Sequence, residues 1–281
     1  MTLGQALAQA AADLNEGGIP DARLEAEILL RHALNLSRVQ LYQSLDRMLI
    51  PKEAAAFQRL LERRLSGEPA AYITGHREFY GLDFLVDRRV LIPRPETELL
   101  VDKSLEITRQ RAIPAIADIG TGSGAIAVSL AVNLPQVRIY AVDISVGALA
   151  LARINAARHG VSDRISFLSG NLLEPLPEPV GLITANLPYV TGSEVSSLGL
   201  ADFEPELALD GGSDGLERIR ELIRGLGAKL LPGGSLLLEI GLGQAEAATG
   251  FLQDSLPETA IEVVPDLAGI DRMINLTLPQ D

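Results

Sequence analysis

The strongest constraint on the fold is a glycine-rich turn joining a strand to a helix. Ala115–Ile119 is a short apolar run, Asp118-Ile119-Gly120-Thr121-Gly122-Ser123-Gly124 follows, and an apolar helix is predicted over Ala125–Val132. Glycines there let the backbone turn tightly and approach a ligand, while the helix N-terminus offers unpaired N–H groups. The pattern then repeats. Val137–Val142 reads as a second strand, and Ser145 caps a helix that ends at Gly160. Ile165–Leu168, Leu182–Ala185 and Ser235–Ile240 read as further strands, with a helical segment near Leu216–Leu230 between the last two. Strand–turn–helix alternation of this kind predicts an α/β chain with an open, mostly parallel sheet covered by helices on both faces.

The glycine loop alone leaves the ligand open. Gly120, Gly122 and Ala125 satisfy the G-x-G-x-x-G/A dinucleotide fingerprint, so it serves a nicotinamide cofactor as well as S-adenosylmethionine. Asp143 lies 23 residues beyond Gly120, at the end of the second strand, where a carboxylate can accept both ribose hydroxyls. Asn186-Leu187-Pro188-Tyr189 follows Leu182–Ala185 directly and so faces the ligand crevice of such a sheet. This set suits a planar nitrogen that is to be held and methylated. The Asn186 side-chain carbonyl and the next backbone carbonyl can accept both hydrogens of an NH2 group, and Tyr189 can stack on its plane.

Ahead of this region the chain reads differently. Met1–Asn15 is an amphipathic helix, Leu24, Ile28, Leu29, Ala33 and Leu34 recur at helical spacing, and Pro51 opens a helix with Ala55, Leu60, Leu61 and Leu65 on one side. Tyr72–Ile92, with Gly75, Gly81 and alternating Leu82, Phe84 and Val86, reads as a short hairpin. The expected domains are therefore residues 1–70 (helical), 71–112 (hairpin and linker) and 113–281 (the sheet).

Composition narrows the chemistry. Without cysteine there are no disulfides or thiolate sites, and His32, His76 and His159 are scattered without metal-ligand spacing, so no metal is expected. The first basic residue is Arg23, so no signal peptide is read; no apolar run is long enough for a membrane span, and a cytoplasmic location is expected. Net charge is −13 overall, of which residues 113–281 hold −12, against the basic surface usual for a chain that tracks phosphates. Arg94, Glu96 and Glu98 are read as solvated or structurally paired, His76 and His159 as surface or turn residues, and Glu239 as a satisfied buried carboxylate.

Beyond these local patterns, the chain resembles the bacterial peptide chain release factor glutamine methyltransferases, the HemK-type family. The resemblance is carried by Asp21–Leu30, Glu68–Gly75, Glu78–Leu82, Leu91-Ile92-Pro93-Arg94-Pro95-Glu96-Thr97-Glu98, Glu204–Gly212, Asp214–Leu216, Glu239-Ile240-Gly241 with Gln244, and Ala268-Gly269 with Asp271-Arg272. It implies a Rossmann-like class I methyltransferase sheet with a small helical N-terminal domain that docks the protein substrate, and a β-hairpin linker. It also implies S-adenosylmethionine as methyl donor and, as acceptor, the glutamine in the Gly-Gly-Gln loop of class I release factors. Gly120, Thr121, Gly122, Ser123 and Gly124 would cradle the donor, Asp143 would hold its ribose, and Asn171-Leu172 would lie at the adenine. Asn186, Leu187, Pro188 and Tyr189 map onto the family's Asn-Pro-Pro-Tyr motif as substrate-binding residues, with Asn186 and Tyr189 catalytic and Asn186 also beside the donor.

The chain departs from the family at two places. Leu187 stands where the family usually has proline, which gives Asn-Leu-Pro-Tyr, the form found in rRNA adenine dimethyltransferases. Asn171-Leu172 stands where an Asp-Trp pair is often seen. Three other readings stay open: an rRNA or DNA adenine N6-methyltransferase, a nicotinamide oxidoreductase, and a donor-binding adaptor without turnover.

Overall fold

The computed structural model describes residues 1–197 and 202–280, and the chain divides into two compact units, Met1–His76 and Arg77–Asp281. In the first, α1 (Leu3–Glu16), α2 (Ala22–Leu34), α3 (Arg38–Gln43), α4 (Pro51–Leu65) and α5 (Ala70–Thr74) enclose Leu3, Leu7, Leu14, Leu29, Leu30, Leu41, Phe57 and Leu61. Reciprocal capping boxes, Thr2 with Gln5 and Ser37 with Gln40, start α1 and α3. Two of the expected apolar faces are rotated. Leu24 is exposed and the buried residues of α2 are Ala26, Glu27, Leu29 and Leu30; on α4 they are Phe57 and Leu61, while Leu65 is exposed. Glu27 tolerates its place in α2 because Arg38 and Arg31 pair with it at 3.0 and 3.5 Å and the Tyr42 hydroxyl donates to it at 2.9 Å.

The second unit begins within the hairpin of β1 (His76–Phe79) and β2 (Leu82–Leu85). Tyr80 and Gly81 both take positive φ, 52° and 72°, the two-residue turn whose twist matches paired strands. After a short 3-10 turn at Pro95–Thr97, α6 (Glu98–Gln110) buries Leu100, Val101, Leu105 and Ile107, so the segment expected as a linker contributes to this unit's core. The main elements follow as β3 (Ala115–Ile119), α7 (Ala125–Asn133), β4 (Arg138–Asp143), α8 (Val146–Arg158), β5 (Ile165–Ser169), β6 (Val180–Ala185), α9 (Gly192–Ser197), α10 (Glu217–Leu226), β7 (Leu230–Glu239), α11 (Ala245–Ser255), β8 (Ala260–Pro265) and β9 (Asp271–Thr277).

These strands form one seven-stranded sheet in the order β5-β4-β3-β6-β7-β9-β8. All neighbours are parallel except β9, which runs antiparallel to both β7 and β8. Every residue of β3 and β6 is buried, which is why both read as apolar runs interrupted only by Asp118 and Thr184. Two expectations need correction. The helix expected to reach Leu230 ends at Leu226, and β7 starts at Leu230 rather than Ser235, passing Pro232-Gly233-Gly234 opposite a register shift in β6. The β8–β9 pair was legible only as Ala268-Gly269 in its turn and Asp271-Arg272 opening β9, because β8 is half exposed throughout. Among the described residues, no helix is long and apolar enough to cross a membrane.

Candidate active site

The carboxyl ends of β3, β4 and β6 open into one cavity. Its wall includes Gly120, Thr121, Gly122, Ser123, Asp143, Asn171, Leu172, Asn186, Leu187 and Pro188, so the structure brings most of the expected site together. Gly124 sits just behind it as the N-cap of α7.

A buried carboxylate holds the glycine loop in shape. Asp118, 1% exposed at the penultimate position of β3, accepts from the Thr121 hydroxyl at 2.6 Å and the Thr184 hydroxyl at 3.0 Å. It also accepts from the backbone amide of Ala127 in the first turn of α7, and burial pushes its pKa up to about 6. The Gly120 and Thr121 amides both donate to the Val142 carbonyl at 2.9 Å, stitching the loop to the end of β4. Gly120 has φ +72°, and a Cβ there would lie 3.3 Å from Leu187 and 3.5 Å from the Asn186 carbonyl oxygen. A side chain at this position would be strained and would press the loop against Asn186 and Leu187.

Asp143 adjoins the loop. Its carboxylate accepts from the Gly122 amide at 2.8 Å and, through its other oxygen, from the Ser145 amide at 2.8 Å, so loop, strand end and α8 are fixed around one side chain. Burial raises its pKa despite those backbone donors. Behind the loop, Asn155 of α8 is fully buried and donates to the Ser123 carbonyl at 2.8 Å. The same side chain exchanges hydrogen bonds with Leu85 of the hairpin. Nothing in the sequence singled Asn155 out.

Asn186-Leu187-Pro188-Tyr189 leaves β6 with its asparagine held from behind. Asn186 Nδ2 donates to Thr97 Oγ1 at 2.9 Å, and Thr97 Oγ1 donates to Glu239 Oε2 at 2.7 Å. Asn186 Oδ1 has no partner among the described residues, and the residue lines the cavity. Glu239 is 3% exposed, and burial pushes its pKa up to about 7. It is satisfied by Thr97, in keeping with the sequence reading, but it also joins the network behind Asn186.

Tyr189 does not line the cavity with the rest of its motif. Its hydroxyl lies 3.5 Å from Glu239 Oε1, and burial pushes its pKa up to about 12. Its backbone is tightly clasped. A Cβ on Gly215 would lie 2.3 Å from the Tyr189 carbonyl oxygen, and one on Gly211 would lie 2.8 Å from its Cα. Gln244 Nε2 donates to the same carbonyl at 3.0 Å while Gln244 Oε1 accepts from the Gly241 amide at 2.9 Å.

After β5, Asn171 donates to Glu221 at 2.6 Å and Leu172 takes φ +46°. Residues with no assigned role in the sequence reading complete the wall: Arg89, Val90, Leu91 and Pro93 before α6, and Pro205, Leu207, Ala208 and Arg218 after the motif. Arg94 also lines it, paired with the buried Glu204, which accepts the Ile92 amide at 3.0 Å. Glu98 accepts the Tyr80 amide at 2.8 Å, and His159 meets the Asp83 carbonyl at 3.0 Å, both structural roles. Among the described residues, no group of three or more acidic or histidine side chains is placed to hold a metal ion.

The donor set fits S-adenosylmethionine in charge and shape. A glycine loop that a single Cβ would push against Asn186 and Leu187 offers close backbone approach, and Asp143 offers carboxylate lone pairs beside it.

Comparison with known proteins points the same way. Residues 5–75 match the family described as PrmC N-terminal domain, and residues 96–203 match the methyltransferase small domain. The release factor glutamine methyltransferase of Moorella thermoacetica is 45% identical over 275 residues, covering 97% of each chain. That of Geobacter sulfurreducens is 44% identical over 265 residues, covering 93% of this chain and 91% of its own. Among solved structures, a methyltransferase from Pyrococcus furiosus superposes with TM-score 0.52 at 16% identity, covering 72% of this chain and 91% of that one. The hMettl16 catalytic domain in complex with the MAT2A 3'UTR hairpin 6 gives TM-score 0.56 at 17% identity, covering 75% and 81%. At those identities the two structures speak to the fold alone.

Proposed function

The chain belongs to the release factor glutamine methyltransferases, and from that premise we propose that it methylates the side-chain amide nitrogen of the glutamine in the Gly-Gly-Gln loop of class I release factors, in the cytoplasm. When bound, S-adenosylmethionine would supply a methyl group from its sulfonium centre: the S–CH3 bond breaks to leave the thioether S-adenosylhomocysteine as the N–CH3 bond forms, and the amide nitrogen gives up one proton to solvent. In this reading Gly120–Gly124 approach the donor through backbone, Asp143 accepts from its ribose, and Asn171-Leu172 flank its adenine.

The observation that carries the reading is the unpartnered Oδ1 of Asn186 on the cavity wall, beside the glycine loop and Asp143. An amide nitrogen is a poor nucleophile because its lone pair is delocalised, so orientation matters more than a base. Asn186 Oδ1 and the Leu187 carbonyl accept the two hydrogens of the acceptor NH2 and aim its nitrogen. Leucine in place of the family's proline keeps that backbone acceptor. Holding two reactants in line contributes up to roughly 7–11 kcal/mol, enough that no dedicated base is required. The −12 balance of residues 113–281 favours a protein acceptor over a nucleic acid. Met1–His76, with its own core, is the part available to dock the release factor, since one glutamine side chain offers little binding energy.

The test is Asn186→Ala, with the methyl group located on the release-factor peptide by mass spectrometry. Transfer should fall by about 100-fold or more while donor affinity changes by less than about threefold. Unchanged turnover would remove Asn186 from the mechanism.

A further inference from the structure

We propose that Thr97 and Glu239 are positioning residues that fix which end of the Asn186 amide faces the acceptor. The proposal rests on the role given to Asn186 above and concerns how that role is enforced. Oxygen and nitrogen of an asparagine amide are nearly the same size, so packing alone does not choose between them. The wrong choice would set an NH2 donor against the NH2 of the acceptor.

The choice is made by a chain of single protons that starts at the cavity wall, which Thr97 lines beside Asn186, and runs inward to Glu239. Ionised Glu239 can only accept, so the one proton of the Thr97 hydroxyl goes to Oε2, at 2.7 Å. Thr97 Oγ1 is then left with lone pairs, which accept from Asn186 Nδ2 at 2.9 Å. With Nδ2 so engaged, Oδ1 is the end turned to the cavity. Thr97 and Glu239 are 5% and 3% exposed, and low local dielectric strengthens the bonds between them.

Three separate elements are locked to make the chain. Thr97 ends the 3-10 turn before α6, Asn186 follows β6 and Glu239 ends β7. The links span 89 and 142 residues of sequence. The other groups facing Glu239 are Glu96, which raises its pKa, Arg272, which lowers it, and the more distant Tyr189 hydroxyl. Since Glu239 titrates near 7, the polarity is fully set only above that pH.

The test uses the full chain above neutral pH, with purified release factor as acceptor. Thr97→Val keeps the shape and removes the hydroxyl, and Thr97→Ser restores it. Thr97→Val should lower kcat by about 10- to 100-fold and leave the Kd for S-adenosylmethionine, measured by calorimetry, within about twofold. Thr97→Ser should recover most of the loss. If Thr97→Val does not fold, Thr97→Ala carries the same expectation. Wild-type kcat in the hydroxyl-free variant, an equal loss of donor affinity, or a serine variant no better than valine would each overturn the proposal. If the wild type labels ribosomal RNA and not the release factor, the glutamine reading is what fails. The ratio of variant to wild type on the RNA acceptor then decides the relay by the same criteria.

Discussion

Asp118 makes the glycine loop's dependence on one buried carboxylate measurable. Its pKa is raised from the ordinary 3.8 to about 6, so the folded state holds the proton more tightly than the unfolded chain does. The associated stability is present below about pH 4 and lost as pH rises through about 6, a full swing of about 3 kcal/mol. Replacing Asp118 with Asn removes the titration while keeping one carbonyl oxygen for the donors. Replacing it with Ala strands the Thr121 and Thr184 hydroxyls and the Ala127 amide in the core. Stranded buried donors cost about 1–3 kcal/mol each, reduced where a hydroxyl can turn to another acceptor. The alanine variant should therefore be less stable than the asparagine one by about 2–4 kcal/mol.

Urea denaturation of wild type and D118N across the range from about pH 4 to about pH 7.5 isolates this group together with its smaller coupling to Asp143, because the titrations of uncoupled groups cancel in the difference. The wild type should lose about 2–3 kcal/mol relative to D118N on going up that range. A flat difference would refute the placement of a desolvated carboxylate under the loop, and D118A as stable as D118N would refute its role as shared acceptor.

Three further outcomes are expected. Asp143→Ala removes the acceptor for the Gly122 and Ser145 amides along with the proposed ribose contact; the donor Kd should weaken by about 10- to 100-fold, and an unchanged Kd would contradict that assignment. Gly215→Ala places a Cβ 2.3 Å from the Tyr189 carbonyl at φ +74°, which should destabilise the second unit by about 2–4 kcal/mol in denaturant, whereas a neutral substitution would mean the clasp is loose. Tyr189→Phe should change kcat by less than about threefold, since a contact of 3.5 Å to Glu239 is weak; a large loss would make the hydroxyl a participant.

What the sequence made legible was local. Gly120–Gly124, Asp143 and Asn186–Tyr189 each sit where a strand ends, and strand ends can be read from apolar runs and turn residues. The face of α2 was misread because Glu27 and Leu24 exchange their usual places. Once its ion pairs are made, the carboxylate is buried and the leucine is left outside. The terminal β8–β9 pair lacks the fully buried, mostly apolar run that marks β3 and β6. The support behind Asn186 could not be read at all as a unit. Thr97 lay in a family-specific string and Glu239 was noticed as a charge inside an apolar strand, but only the order β6-β7 and the turn before α6 bring them together. Asn155 carried no signal, because a polar residue inside a helix is ordinary until its partners are seen.

The central claim is the identity of the acceptor, and radiolabelled S-adenosylmethionine tests it most directly. Purified class I release factor, the same factor with Gln→Ala in its Gly-Gly-Gln loop, and ribosomal RNA are incubated in parallel with the protein. The account predicts label on the intact factor and none on the Gln→Ala factor or the RNA. Label on the RNA, or equal label on both factors, would contradict it.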